Sequence, residues 1–451
     1  MNHELTKDFI NVHLNDDVNK LALSKFPDDI DKQFVIRQIQ ARQLLKKKLP
    51  SWSENDELLF PKRLSLEQCS SELTAKYKRT ISRNDEEAQC NICEDQRRSM
   101  GEKRTLIDLT GGMGVDTSFL SDNFDETIYV ESQAGLCELA EHNFKVLKKN
   151  IKVVNAKAED FLTQCGEVDC IYLDPARRDE YGRKMVSLHD CSPDVAELQD
   201  LLFEKTDTVI VKLSPMLDID IIKKELKNIK EIHVVAVRNE CKEVLVKTRK
   251  FRDSETQRLK DSENYTTLRL CDSVTLRLYI SAIDLKEGWS FTFTEDEEQN
   301  AIPTFADEIG KYLYEPGVAC MKAAPFKLLS QRFNIKKLHR NSHLYTSDEL
   351  VTDFPGRTFE VIAAVPFDKK AKKTILETQR LRDSETQSDE HSAASRLCDS
   401  ATLKASIAVR NFPLSAEALR KHLGFKDGDD FYIFGTTMKG EKKMLVLGSK
   451  C

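Results

Sequence analysis

The 451-residue chain contains no apolar run approaching the ~20 residues needed to cross a bilayer. Its beginning, Met1-Asn-His-Glu-Leu-Thr-Lys-Asp8, lacks the basic region and apolar stretch of a secretion signal, so a cytoplasmic protein is expected. Its twelve cysteines have no compact spacing, which suits reduced thiols better than a disulfide framework. Cys90 and Cys93 form one C-x-x-C. A zinc site wants a second pair or histidines at matching spacing, and His142 and His189 stand isolated, so no metal is expected. Positive charge is not in excess either. Lys and Arg number 69 against 75 Asp and Glu, and this net charge of -6 gives nucleic-acid binding no global support. Local basic runs remain, at Arg42-Gln-Leu-Leu-Lys-Lys-Lys48 and Lys336-Lys-Leu-His-Arg340, and each also reads as a solvated helix face.

What is present centres on Thr105-Leu-Ile-Asp-Leu-Thr-Gly-Gly-Met-Gly-Val-Asp-Thr117. An apolar strand ends in Asp108, and Gly112 and Gly114 follow before a helix expected from Val115. Glycines at a strand-to-helix turn let backbone approach a nucleotide-like ligand with no Cβ in the way. The third position of a G-x-G-x-x-G would be Thr117, which favours a nucleoside sulfonium over a dinucleotide pyrophosphate. The next strand, Glu126-Thr-Ile-Tyr-Val-Glu131, ends in an acid placed for a ribose diol. A helix follows with Leu136, Leu139, Ala140, Asn143, Phe144 and Leu147 on one face. A third strand begins at Ile151, and its exit holds Glu159 and Asp160. A fourth runs from Val168 to Asp174-Pro175-Ala176-Arg177.

In order and spacing, Thr105 to Arg178 resembles the class I S-adenosylmethionine-dependent methyltransferases. The resemblance implies an α/β, Rossmann-like sheet. It assigns Asp108, Thr110 and the Gly111, Gly112 and Gly114 turn to the methionine end of S-adenosyl-L-methionine. It gives Glu131 to the ribose, Glu159 or Asp160 to the adenine edge, and Asp174 to the reaction centre, with Pro175 and Arg177 beside it.

The chain holds two to four domains by length. Residues 1–100 read as a mostly helical region and linker. Phe34, Ile36, Ile39, Ala41, Leu44 and Leu45 predict a helix that stops before Pro50. Leu64 to Lys78 reads as a second helical unit unusually rich in small hydroxyls, with Ser70 or Ser71 as cap, and it is either a cleft wall or plain packing. Residues 101–250 make the methyltransferase domain. Its fifth strand is Thr208–Pro215, and Glu231–Val237 and Glu243–Lys247 give an antiparallel ending. A polar insertion (251–274), a module at 275–325 and a unit at 326–451 with an insertion near 378–402 follow, both modules expected to be small and α+β. Arg252-Asp-Ser-Glu-Thr-Gln257 recurs as Arg382–Gln387, and Leu270-Cys-Asp-Ser273 as Leu397–Ser400, both read as surface loops or hairpins.

With Gln68–Glu72, Asp108–Gly114, Asp174–Arg177 and Arg410-Asn-Phe412 as marks, the chain resembles bacterial methyltransferases of a Bacteroidetes-type group with a ferredoxin-like module, here 275–325, and a THUMP-like domain. True THUMP domains accompany RNA-modifying enzymes, so RNA is the implied partner. A protein or small-molecule acceptor, or a non-catalytic cofactor-binding role, is the alternative. Asp174-Pro-Ala-Arg177 departs from the Asp/Asn-Pro-Pro-aromatic pattern of amine methylation, because no aromatic follows; Tyr181 is a distant substitute. Arg177 and Arg178 suit a phosphate instead. Lys212, at the end of the fifth strand, reads equally as solvated or as part of the site, and Arg410 as an RNA contact or an interface residue.

Overall fold

The computed structural model describes residues 3–83, 103–177, 187–250, 277–386 and 404–451. The Cys90/Cys93 pair, Arg178, Tyr181 and the first copy of the repeat lie outside them, as does the side chain of Arg177. The chain divides into two compact units, Met1–His233 with Lys242–Leu278, and Val234–Cys241 with Tyr279–Cys451. No helix among the described residues is long and apolar enough to cross a membrane.

The first unit begins with six helices: α1 (His3–Val12), α2 (Val18–Leu23), α3 (Lys32–Leu45), α4 (Pro50–Ser53), α5 (Arg63–Gln68) and α6 (Glu72–Ile81). The helix expected before Pro50 is α3, and Pro50 itself starts α4, where its missing N–H costs nothing. The hydroxyl-rich stretch from Leu64 is two helices rather than one. It breaks at Cys69, and Ser71 caps α6 by accepting from the Thr74 N–H, leaving Ser70 free for another role.

Parallel strands β1 (Thr105–Asp108), β2 (Glu126–Glu131), β3 (Ile151–Asn155) and β4 (Cys170–Leu173) follow, then the short pair β5 (Ala176–Arg177) and β6 (Cys191–Ser192), and β7 (Thr208–Leu213). The central strands read as near-continuous apolar runs because helices cover a parallel sheet on both faces. With β8 (Ile229–Val237), β9 (Glu240–Arg249), β10 (Tyr279–Asp284) and β11 (Trp289–Thr294), the strand order is β11-β10-β8-β9-β7-β4-β1-β2-β3. β9 pairs antiparallel with β7, as expected of the sheet's ending. Helix α7 (Val115–Leu120) leaves the glycine turn. Helix α8 (Ala134–Val146) buries Leu136, Cys137, Ala140, Asn143 and Phe144. The Asn143 amide accepts from the Leu59 N–H at 2.9 Å and donates to its carbonyl at 2.8 Å, tying the N-terminal region to the sheet layer. Met113 and Val115 share one core with Trp52, Phe60, Leu66 and Ala75, so the N-terminal helices wall the glycine turn.

The second unit is built on a seven-stranded sheet, β13-β14-β12-β15-β18-β17-β16. Its strands are β12 (Tyr312–Pro316), β13 (Lys336–Lys337), β14 (Tyr345–Ser347), β15 (Gly356–Pro366), β16 (Lys404–Arg410), β17 (Lys426–Met438) and β18 (Lys442–Lys450). Only β16 and β17 pair in parallel. By the division into units, β10 and β11 belong to the second unit with the rest of Tyr279–Cys451. β10 and β11, assigned from sequence to a module at 275–325, continue the first sheet's order, while β12 from that same stretch pairs with β14 and β15. A strand's own pattern does not say which partner it will take. The second repeat copy is not a hairpin where it is described, since Arg382–Thr386 ends the helix α9 (Ala371–Thr386).

Candidate active site

Three strand ends converge at the glycine turn. The Gly111 N–H donates to the Val130 carbonyl and the Gly112 N–H to Glu131 Oε2 at 3.0 Å, so the acid at the tip of β2 already lies against the loop. Gly112 (φ 53°) and Gly114 (φ 80°) hold left-handed conformations that favour glycine. A Cβ at Gly111 would come within 2.1 Å of the Tyr129 ring, whereas one at Gly112 would meet nothing nearer than 3.8 Å. The loop thus rests on Tyr129, whose hydroxyl donates to the Gly112 carbonyl, and Gly112 borders open space.

Asp108 is buried beneath this loop. It accepts from the Thr117 hydroxyl (2.5 Å) and the Thr110 N–H (3.0 Å). Burial pushes its carboxyl up to about 7, against the pull of those two hydrogen bonds. The Thr110 hydroxyl accepts from the Asp174 N–H at 2.6 Å, joining the β1 loop to the end of β4.

Behind Asp174 runs a chain of alternating charge. Lys212 Nζ lies 2.5 Å from Asp174 and 3.9 Å from Asp116. Asp116, in the first turn of α7, also receives the Tyr172 hydroxyl (2.8 Å) and the Ser70 hydroxyl (2.7 Å). Lys78, fully buried on α6, meets Asp116 at 3.2 Å and Glu243 at 2.9 Å and donates to Ser70. Burial opposes the Asp116 carboxylate, but Lys78 and Lys212 outweigh it and hold its pKa below the usual range. Burial also opposes the Lys212 ammonium. Asp174, Asp116 and Glu243 outweigh that in turn, so Lys212 stays protonated. At Glu243 burial wins, and its pKa rises. Asp174 is the exposed end, its side chain 36% accessible against 0% for Lys78.

The structure therefore brings together Asp108, Thr110, Gly111, Gly112, Gly114, Glu131 and Asp174, with Pro175 next in the chain. Glu159 and Asp160 lie in the first turn of a separate helix, Ala158–Gln164, after β3. The Arg177 backbone pairs with Cys191 in β5–β6. His189 bonds Asp194, the cap of the next helix, and Asp190 completes a turn with Ser187, so both serve the local loop. Arg410 is occupied by buried Glu315, with which Arg357 also pairs.

Reading the sequence missed Ser70, Lys78, Asp116, Tyr172 and Glu243. One signal was available: Lys78 shares a helical face with Thr74, Ala75 and Ile81, a core position for a charge.

A ferredoxin-like domain family matches residues 312–355, and a THUMP domain-like family matches 390–450. The ferredoxin-like match thus covers β12 to β14, overlapping the 275–325 stretch expected from sequence at 312–325 and extending beyond it. Among solved structures, a "putative methyltransferase" from Porphyromonas gingivalis W83 is 30% identical, with 99% of this chain and 98% of that chain covered and a TM-score of 0.75. A "putative RNA methyltransferase" from Pyrococcus horikoshii is 15% identical over 48% of this chain and 98% of that one, with a TM-score of 0.30. A "putative sam-dependent methyltransferase" from Streptococcus mutans is 14% identical over 27% and 34%, with a TM-score of 0.22. At those two scores the likeness carries no functional argument. A comparison with curated proteins finds no match.

Proposed function

Because the chain belongs to the family of the P. gingivalis protein, Rossmann-like methyltransferases with ferredoxin-like and THUMP-like C-terminal domains, we propose that it moves a methyl group from S-adenosylmethionine to a base in cytoplasmic RNA. The observation that carries this reading is the meeting of the open glycine turn, Glu131 and Asp174 at the carboxyl ends of parallel strands, where α/β folds bind ligands. The RNA part rests on the THUMP-like match at 390–450.

The residues fit the cofactor. Gly112 borders open space that a side chain would narrow, and the Glu131 carboxylate beside it suits a ribose diol. Asp108 would act through the loop it shapes at the methionine end, and Glu159 or Asp160 would border the adenine. The bound cofactor would supply an electrophilic methyl on its sulfonium. Asp174 Oδ would accept the N–H or O–H of the acceptor and orient its lone pair, with the Pro175 carbonyl as a second acceptor. Positioning of this kind supplies much of the rate in such transfers. Lys212 is the positioning residue: its ammonium fixes the Asp174 carboxylate, and Asp116 fixes Lys212. Arg177 is placed in sequence to meet a phosphate of the substrate.

The test is transfer of labelled methyl to total RNA and to total protein from a strain lacking the gene. We expect label in RNA, and Asp174→Ala should lower the rate about 10²–10⁴-fold with cofactor affinity unchanged. Label confined to protein would sink the RNA reading. Loss of cofactor binding in Asp174→Ala would sink the role given to Asp174.

A further inference from the structure

The carboxyl ends of β15, β16 and β17 and the start of β18 share one edge of the second sheet, since β15 and β17 both run antiparallel to β18 and β16 runs parallel to β17. Lysines collect there. Lys439 Nζ contacts Asp307 at 2.9 Å, and the Asp307 carboxyl is held below its usual range by Lys439 first, with smaller contributions from the charges of Lys336 and Lys442. Lys443 reaches the Thr437 hydroxyl at 3.1 Å, and its carbonyl takes the Phe367 N–H, which brings Lys369 and Lys370 to the same edge. Lys336, Lys369, Lys370, Lys439 and Lys442 are all exposed. Asp307, Asp368 and Glu441 bond to this edge and Glu308 follows Asp307 in the chain, so among the described residues Lys336, Lys369, Lys370, Lys439, Lys442 and Lys443 outnumber the acids in a chain of net charge -6.

Two half-buried rings, both packed on their inner side against the core, lie at the same edge, where the Phe367 N–H meets Lys443. Phe367 and Phe412 meet edge to face at 4.9 Å, with His422 5.5 Å from Phe367. Lysines around partly open aromatic rings are what a single nucleic-acid strand uses: ammonium groups for its phosphates and ring faces or edges for unstacked bases.

We propose that this lysine edge is the surface on which the second unit docks the phosphate backbone of RNA. The proposal deepens the RNA part of the function given above and does not depend on the methyl-transfer chemistry. Arg410, despite its place in the sequence, is not part of the edge's free charge, because Glu315 holds it.

The experiment is fluorescence anisotropy of a fluorescein-labelled single-stranded RNA of mixed sequence, titrated with the full chain at several salt concentrations. Lys439→Glu/Lys442→Glu is compared with Lys426→Glu/Lys450→Glu, the same charge change where β17 begins and β18 ends. The first pair should weaken binding about tenfold or more and lower the slope of log K against log salt by about 1.4, two phosphate contacts at ~0.7 each. The second should change affinity about twofold or less by comparison. Lys439→Gln/Lys442→Gln, which places no new acid beside Asp307, should act in the same direction with an unchanged melting temperature. Equal effects of the two Glu pairs would overturn the proposal. So would failure of the wild-type chain to bind this RNA, and the methyl-labelling assay would then decide separately whether RNA is the acceptor.

Discussion

Each unit holds a buried carboxylate between two cations, and the two arrangements behave differently. In the first, Asp116 lies between Lys78 and Lys212, whose side chains are 0% and 13% exposed, and the chain of charge ends on Asp174. In the second, Glu315 lies between Arg357 and Arg410, whose side chains are about a third exposed. A buried ammonium cannot exchange its partner for water, so its geometry is fixed and can be handed on to a neighbour. A half-exposed guanidinium keeps water as an alternative. The arginine pair therefore ties β12, β15 and β16 together through Glu315. Buried charge of the first kind costs stability to keep, and the usual reason to keep it is a geometry that chemistry needs.

Breaking the first arrangement tests this most severely. Lys78→Met leaves Glu243 without its ion-pair partner and Asp116 with Lys212 alone, and should cost about 3–5 kcal/mol in urea unfolding. Lys78→Met with Glu243→Leu should recover much of that loss. If Lys78→Met alone is neutral, the network carries no structural weight.

A smaller effect separates two acids of the first unit by pH. Asp108 keeps its proton to about 7 when folded and to ~3.9 when unfolded. Its contribution is thus full below ~3.9 and lost as pH rises through 7, a loss of a few kcal/mol. Glu231 has the opposite sign. Burial opposes its charge, but His233 and Lys247 draw it down to about 2, so its contribution is full above ~4.3 and lost as pH falls through 2. Stability measured from pH 2 to 8 should show both limbs. Asp108→Asn should flatten only the limb between pH 4 and 7, and an unchanged profile would refute the buried-acid account.

The smallest effect sharpens the contrast with the exposed lysines. Lys439→Ala, at a surface ion pair with Asp307, should leave the urea midpoint nearly unchanged, and more nearly so at high salt. A large fall in that midpoint would mean that this edge is structural.

Much of the first unit was legible because its signals are local. The apolar run ending in Asp108, the glycine pair and the acid at Glu131 are each set by neighbours in sequence, and the structure joins them through short contacts such as Gly112 N–H to Glu131. Ser70 and Lys78 were not legible as partners. The first lies 46 residues from Asp116 and the second 165 from Glu243, and nothing in either segment names the other. Lys212 was visible only as a residue at a strand end. Its pairing with Asp174 depends on β4 and β7 being neighbours.

The sequence by itself determined the Rossmann-like class, the parallel strands with their glycine turn, the helical N-terminal region and the resemblance to methyltransferases from which the cofactor is proposed. Apolar periodicity, strand propensity and turn glycines act over a few residues, so they can be read without coordinates. Only the tertiary structure decided that β10 and β11 continue the first sheet, that β12 joins the second, and that Lys78 and Lys212 stand behind Asp174. Strand partners and buried ion pairs form between segments far apart in the chain, and their energy exists only once those segments meet.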